Sequence, residues 1–152
     1  MEVFRLSREK YAVPLSGKGA AIKGARWNST GVGLIYTAGN RSLAMAEVAV
    51  HLTLATLPDD YFMLTIHIPN DIEIKEIFEI DLQEDWKEFP HPVCTQKIGN
   101  DFVSEKLFCV LKLPSVVTQG DYNFLINPNH KDFNKITVTK MDKFPFDNRI
   151  FK

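Results

Sequence analysis

The chain has 152 residues, 45% hydrophobic and 24% charged, the composition of an ordinary folded domain with enough apolar mass for its own core. Its 18 basic and 19 acidic side chains leave a net charge of −1, without the basic footprint of direct DNA or RNA binding, so nucleic acid is not an expected ligand. No apolar run nears the roughly 20 residues that span a bilayer, and the opening MEVFRLSREKYAVP lacks the apolar core of a signal peptide; no membrane association and a cytoplasmic location are expected.

Taken in chain order, residues 2–6 (EVFRL) suit a first strand. Residues 14–33 carry Gly17, Gly19, Gly24, Gly31 and Gly33 and read mostly as loop. Residues 33–38 (GLIYTA) form a short β-favouring run. A helix follows over 41–57, capped by Ser42 or Asn40 and stopped by Pro58. Residues 61–69 and 72–80 read as strands; in the second, Ile72, Ile74 and Glu76 alternate with Glu73, Lys75 and Ile77 until the pattern slips. Residues 95–106 are predicted helical, 107–113 (LFCVLKL) a buried strand closed by Pro114, and 127–130 (NPNH) a turn. Residues 135–141 alternate as a strand, and 146–151 are read as a last one. Strands outnumber helices, so the class is α+β in one domain, 1–152. Cys94 and Cys109 have no metal-ligand or C-x-x-C spacing and read as reduced thiols.

The helix at 41–57 breaks its own pattern. Leu43, Ala46, Val50 and Leu54 form an apolar stripe, and Met45, Val48, Ala49 and Leu52 cover other faces; a helix apolar nearly all round is expected to be buried. Glu47 stands in its middle, with His51 one turn on along the same face. A buried carboxylate has to be paired, hydrogen-bonded or protonated, because losing its hydration costs several kcal/mol. The pattern leaves a structural ion pair and a functional carboxylate both open, while His51 alone reads as a satisfied core histidine.

Arg26 is the expected partner of Glu47. It sits in Gly24-Ala25-Arg26-Trp27-Asn28-Ser29, where a guanidinium fork suits a diphosphate; a surface arginine stacked on Trp27 is the alternative. Tyr36, inside an apolar strand, packs or stacks on an aromatic base. Ser115 follows Pro114 with no Gly-x-Ser-x-Gly elbow. No G-x-G-x-x-G or P-loop is present, and no His/Cys/carboxylate cluster has metal-ligand spacing.

Together these pieces resemble the RES domain family. The stretch around Arg26, then Leu-Ile-Tyr36-Thr-Ala, then Ser-Leu-Ala-Met-Ala-Glu47-Val-Ala-Val-His51 looks like its first half. Leu-Pro-Ser115-Val-Val, Asn123-Phe-Leu-Ile-Asn127-Pro-x-His130 and Phe-Pro-Phe-Asp147-x-Arg149 look like its second. The arginine, glutamate and serine that name the family map onto Arg26, Glu47 and Ser115. Ala25 stands where the common family form has a second glycine.

The resemblance implies a toxin of a bacterial toxin–antitoxin pair, with a fold similar to the diphtheria-type ADP-ribosyltransferase toxins. It implies depletion of NAD by phosphorolysis or hydrolysis, in some members ADP-ribosylation of a protein, and an Xre-type helix-turn-helix antitoxin that blocks the active site. NAD is then a substrate rather than a resident cofactor, inorganic phosphate the expected co-substrate, and no metal is needed. A homodimer is suggested by analogy alone.

On this reading Glu47 stabilises the oxocarbenium-like transition state. Arg26 holds the diphosphate or the attacking phosphate, and Tyr36 packs on the nicotinamide or its ribose. Ser115 bonds a phosphate or ribose oxygen, and Asn127 and His130 border the pocket from their turn. Two alternatives stay open: a transferase placing ADP-ribose on a protein, and a non-catalytic module that binds the antitoxin.

Overall fold

The first strand sets the frame. In the computed structural model, which describes residues 1–151, β1 (Glu2–Arg8) turns Val3 to one face and Phe4 and Leu6 to the other, as the two-residue period of a strand requires. It lies within a seven-stranded sheet with β2 (Ile35–Ala38), β3 (Tyr61–His67), β4 (Ile74–Glu76), β5 (Val110–Pro114), β6 (Tyr122–Ile126) and β7 (Thr137–Lys143). The order is β4-β5-β6-β2-β1-β3-β7. Only β4 and β5 pair parallel; the other neighbours are antiparallel. The expected α+β class with a mixed sheet therefore holds.

The sheet is unevenly joined. β1 pairs with β3 from Glu2↔His67 to Arg8↔Tyr61 without a break. β1 and β2 meet only at Phe4↔Ala38. The two halves of the sheet are thus hinged at one residue pair and splay apart beyond it, leaving strand edges that the rest of the fold has to satisfy.

Alternation along each strand sorts the core. Val3, Ile35, Leu64, Ile66, Val110, Phe124 and Ile126 pack on one face. Leu34, Leu111, Leu113 and Leu125 pack on the other with Trp27, Trp86 and Phe102, and Phe4, Leu6, Ala38 and Met63 continue that second face against Leu43 and Ala44. Two helices cover it: α3 (Arg41–Ala49), which carries Leu43 and Ala44, and α4 (Val93–Glu105), which carries Phe102 and Val103. Two shorter ones, α1 (Glu9–Ala12) and α2 (Lys18–Lys23), precede them. Among the described residues no helix is long and apolar enough to cross a membrane. Both cysteines are free thiols, and burial pushes that of Cys109 up to about 11.

Several expectations need correction. The helix expected over 41–57 ends at Ala49, and a separate 3₁₀ turn occupies Leu54–Thr56. The hydroxyls of Thr53 and Thr56 bond each other at 2.8 Å and the nearby backbone, and such local bonds compete with the helical ladder. Nor is the helix buried all round: Leu43 and Ala44 are, but Val50 is 60% and Leu54 54% exposed. The stretch 14–33, expected to be mostly loop, is so apart from α2, and Gly17 serves close packing there: a Cβ on it would lie 2.4 Å from the Leu34 nitrogen. The strand expected over 72–80 keeps only three residues, and 146–151 forms a 3₁₀ turn, Asn148–Ile150, in place of a strand. β6, an interior strand of the sheet, was not among the expected strands.

Candidate active site

The surplus apolar surface of α3 has a use: it walls a cavity of about 400 Å³. Asn40 begins this helix, its side chain accepting from the Leu43 N–H at 2.8 Å. One face of α3 then packs on the sheet, and the next presents Glu47 and Val48 to the cavity, with Val50 and His51 following just past the helix end. The opposite walls come from both sides of the split in the sheet: Phe4, Arg5 and Leu6 of β1, and Tyr36, Thr37 and Ala38 of β2. Arg26, Phe89, His91 and Asn123 also line it.

Glu47 is the one carboxylate among the lining residues. Ser115 Oγ donates to its Oε1 at 3.2 Å. That serine is 3% exposed and fixed from behind, its oxygen accepting from the N–H groups of Val117 and Thr118 at 3.1 Å each. Burial raises the pKa of Glu47, while the Asn123 amide, the Ser115 hydroxyl, His51 and Arg26 draw it back. The result is a carboxylate withdrawn from water yet supplied with donors that favour its ionised form.

Arg26 does not form the ion pair expected with Glu47. Its Nη1 donates to the carbonyls of Trp86 at 2.6 Å and Glu88 at 3.0 Å, tying the segment before α4 to the Gly-rich stretch. Trp27 does not stack beneath it; the indole is buried and tilts onto Trp86 with ring centroids 6.0 Å apart. Arg26 remains in the cavity wall, and its field helps hold Glu47 charged.

Tyr36 lines the cavity with its ring, but its hydroxyl is committed. It donates to Asn28 Oδ1 at 2.6 Å and accepts from the Trp27 N–H at 3.1 Å, so it fixes the loop that carries Arg26. Burial raises its pKa, which keeps the phenol protonated. Asn28 is itself fully buried, its amide shared among the carbonyls of Ala20, Ser29 and Val32.

Asn127 and His130 do not border the cavity, which corrects the expectation of a substrate contact there. Asn127 is fully buried, donates to the Val103 carbonyl at 3.1 Å and accepts from the Asn129 N–H at 2.9 Å. His130 Nδ1 accepts from the Asp132 N–H at 3.1 Å. Both organise the turn after β6 and the end of α4. His51, read from sequence as a satisfied core residue, is exposed at the cavity.

Four lining residues were not among the expected site residues, although Asn123 opens one of the stretches that carry the family resemblance. Asn123 stands beside Glu47 and spends one amide hydrogen on the Thr37 carbonyl at 3.2 Å. Arg5 crosses the split in the sheet, Nη1 donating to the Tyr36 carbonyl at 3.2 Å. Phe89 and His91 stand edge to face at 5.2 Å. Burial, then Arg26 and His51, lower the pKa of His91. Only the alternation of Phe4 and Leu6 around Arg5 could have marked that arginine as a buried charge.

Comparison with known proteins places this geometry among relatives. A sequence model of the RES domain matches residues 2–147. A protein named Toxin Res from Photorhabdus laumondii is 36% identical over 100% of this chain and 98% of its own length. A Prs ADP-ribosylating toxin from Sphingobium sp. is 32% identical over 96% of this chain and 92% of its own. Among solved structures, the M. tuberculosis MbcT–MbcA toxin–antitoxin complex contains a chain that superposes with a TM-score of 0.76, at 17% identity, over 94% of this chain and 83% of that one.

Proposed function

We propose that this chain, which belongs to the RES domain family, is a toxin that cleaves the nicotinamide–ribose bond of NAD in the cavity around Glu47. The observation that carries the reading is a single carboxylate, held by Ser115, in a cavity that is otherwise largely apolar. Ordinary glycoside hydrolysis uses two carboxylates, one of which protonates the leaving group. Nicotinamide is cationic in NAD and leaves neutral, so no general acid is required. One ionised carboxylate suffices to hold the ribose hydroxyls and stabilise the positive charge developing at the anomeric carbon.

In the phosphorolytic form, the bond between ribose C1 and the nicotinamide nitrogen breaks with its electron pair going to nicotinamide. A phosphate oxygen then forms the new bond at C1, giving a phosphorylated ADP-ribose. Water in place of phosphate gives free ADP-ribose. A lining with two permanent cations, Arg5 and Arg26, against one carboxylate favours an anionic co-substrate.

A second reading is favoured by one relative: the Sphingobium protein carries the name of a Prs ADP-ribosylating toxin, so transfer of ADP-ribose to a protein is the alternative fate of the same intermediate. The names of the relatives and the toxin–antitoxin complex formed by the structural neighbour support a cognate antitoxin as partner, of the Xre type on the family resemblance, with the cytoplasm as the place of action. Incubation with NAD, with and without inorganic phosphate, followed by mass analysis, separates these outcomes. Phosphorylated ADP-ribose only with phosphate gives a phosphorylase, and free ADP-ribose gives a glycohydrolase. ADP-ribose on added protein gives a transferase, and intact NAD throughout refutes the reading.

A further inference from the structure

His91 turns a single hydrogen-bond donor toward the cavity. The residue is partly buried and lines the cavity wall. Its Nδ1 is enclosed by the protein, and among the described residues no partner reaches that atom. The open edge of the ring is therefore the one that carries Nε2. A neutral imidazole has one N–H and one bare nitrogen. An enclosed N–H without an acceptor is rarer in proteins than an acceptor left bare, so the proton sits on Nε2 and points outward. A second proton would have to go onto the enclosed Nδ1. Burial, then Arg26 and His51, lower the pKa of the ring, which stays neutral.

A neutral donor selects its partner. A phosphate is better met by an imidazolium, and the enclosed Nδ1 opposes that second proton. A carbonyl oxygen asks only for one neutral N–H. The surroundings suit a flat ring: Tyr36 and Phe89 line the same cavity, and Phe89 stands edge to face with His91 at 5.2 Å. We propose that the Nε2–H of His91 donates to the carbonyl oxygen of an aromatic base held in the cavity. Of the bases of NAD only nicotinamide carries a carbonyl, on its carboxamide. Naming that base rests on the NAD-cleaving reading; the carbonyl subsite itself does not. On that reading the contact also serves cleavage. As the bond between ribose C1 and the nicotinamide nitrogen breaks, its electron pair passes to the nicotinamide ring. The carboxamide oxygen becomes a better acceptor, and the bond from His91 tightens in the transition state.

The test is a ligand-observed NMR titration of the full chain and its His91→Leu and His91→Gln variants with three rings: nicotinamide, 3-acetylpyridine and 3-methylpyridine. The first two carry a carbonyl and the third does not. His91→Leu is expected to weaken nicotinamide and 3-acetylpyridine about fivefold, the worth of a neutral hydrogen bond, and 3-methylpyridine less than about twofold. His91→Gln, whose amide hydrogens reach the place of the imidazole Nε2–H, should recover most of the loss. His91→Asn, whose amide stops at the position of Nδ1, replaces His91→Leu if that variant does not fold. Nicotinamide bound through His91 by a chain that leaves NAD intact keeps the subsite and removes the NAD-cleaving reading. NAD cleaved with the same kcat and KM by wild type and His91→Leu keeps that reading and overturns the inference. All three rings weakened equally, none weakened, or none bound by the wild type also overturns it.

Discussion

Ser115 Oγ donates to Glu47 Oε1 across 3.2 Å while accepting two backbone N–H bonds from its own turn. The hydroxyl hydrogen is thereby directed at the carboxylate, and the serine acts through the glutamate rather than on the substrate. Ser115→Ala is expected to lower kcat by about 10–100-fold, the worth of a hydrogen bond to a charged group. Because Ser115 favours the ionised form of Glu47, the acid limb of the kcat–pH profile should also move to higher pH. A purely structural serine would leave that limb in place.

Glu47 itself should reduce stability at neutral pH. Its folded pKa is raised above the ordinary 4.5 by burial, so between these two values the folded chain keeps a proton that the unfolded chain releases. Stability then falls as pH rises through that window. Glu47→Gln is expected to raise the denaturation midpoint at neutral pH, with the gain shrinking as the pH drops below 4.5. Denaturant titrations of both proteins at several pH values check this.

Arg26 ties down the Trp86–Glu88 segment through two carbonyls at 2.6 and 3.0 Å. Arg26→Ala should expose residues 83–91 to proteases and weaken substrate binding as Phe89 and His91 lose their positions. Arg26→Lys, able to reach only part of that arrangement, should be intermediate in both. Unchanged cleavage of this segment in Arg26→Ala would show that the arginine does not hold it.

Two glycines should respond in opposite ways to alanine. A Cβ on Gly99, in α4, would lie 1.5 Å from the Trp27 carbonyl oxygen, whereas one on Gly19 meets nothing within 4 Å. Gly99→Ala should lose about 3 kcal/mol or more, by separating α4 from the loop that carries Arg26. Gly19→Ala should gain roughly 0.5–1 kcal/mol by lowering the entropy of the unfolded chain. Thermal unfolding of the two variants gives the comparison.

The sequence was informative where the pattern was local. Strand-like runs at 2–6 and 61–69 located β1 and β3, alternation over 135–141 located β7, and an unlikely glutamate in an apolar helix led to Glu47. What it misjudged came from tertiary context. Leu43 and Ala44 of α3 reach the core, but Val48 and, just past the helix end, Val50 line a cavity, so Val50 is exposed though it looks like a buried position. Arg26 and Glu47 share a wall without pairing, because backbone carbonyls of a segment sixty residues on take the guanidinium. Arg5 gave no motif at all: its significance depends on a sheet that parts beside it, and strand pairing is set by distant residues.

The central claim is that Glu47 drives loss of nicotinamide from NAD. The direct measurement is nicotinamide released from NAD by the purified chain, beside Glu47→Gln shown to be folded by its circular dichroism. Steady release by the wild type, falling by about 10²-fold or more in Glu47→Gln, is the predicted result. Equal release by both proteins, or NAD left intact by the folded wild type, would contradict the account.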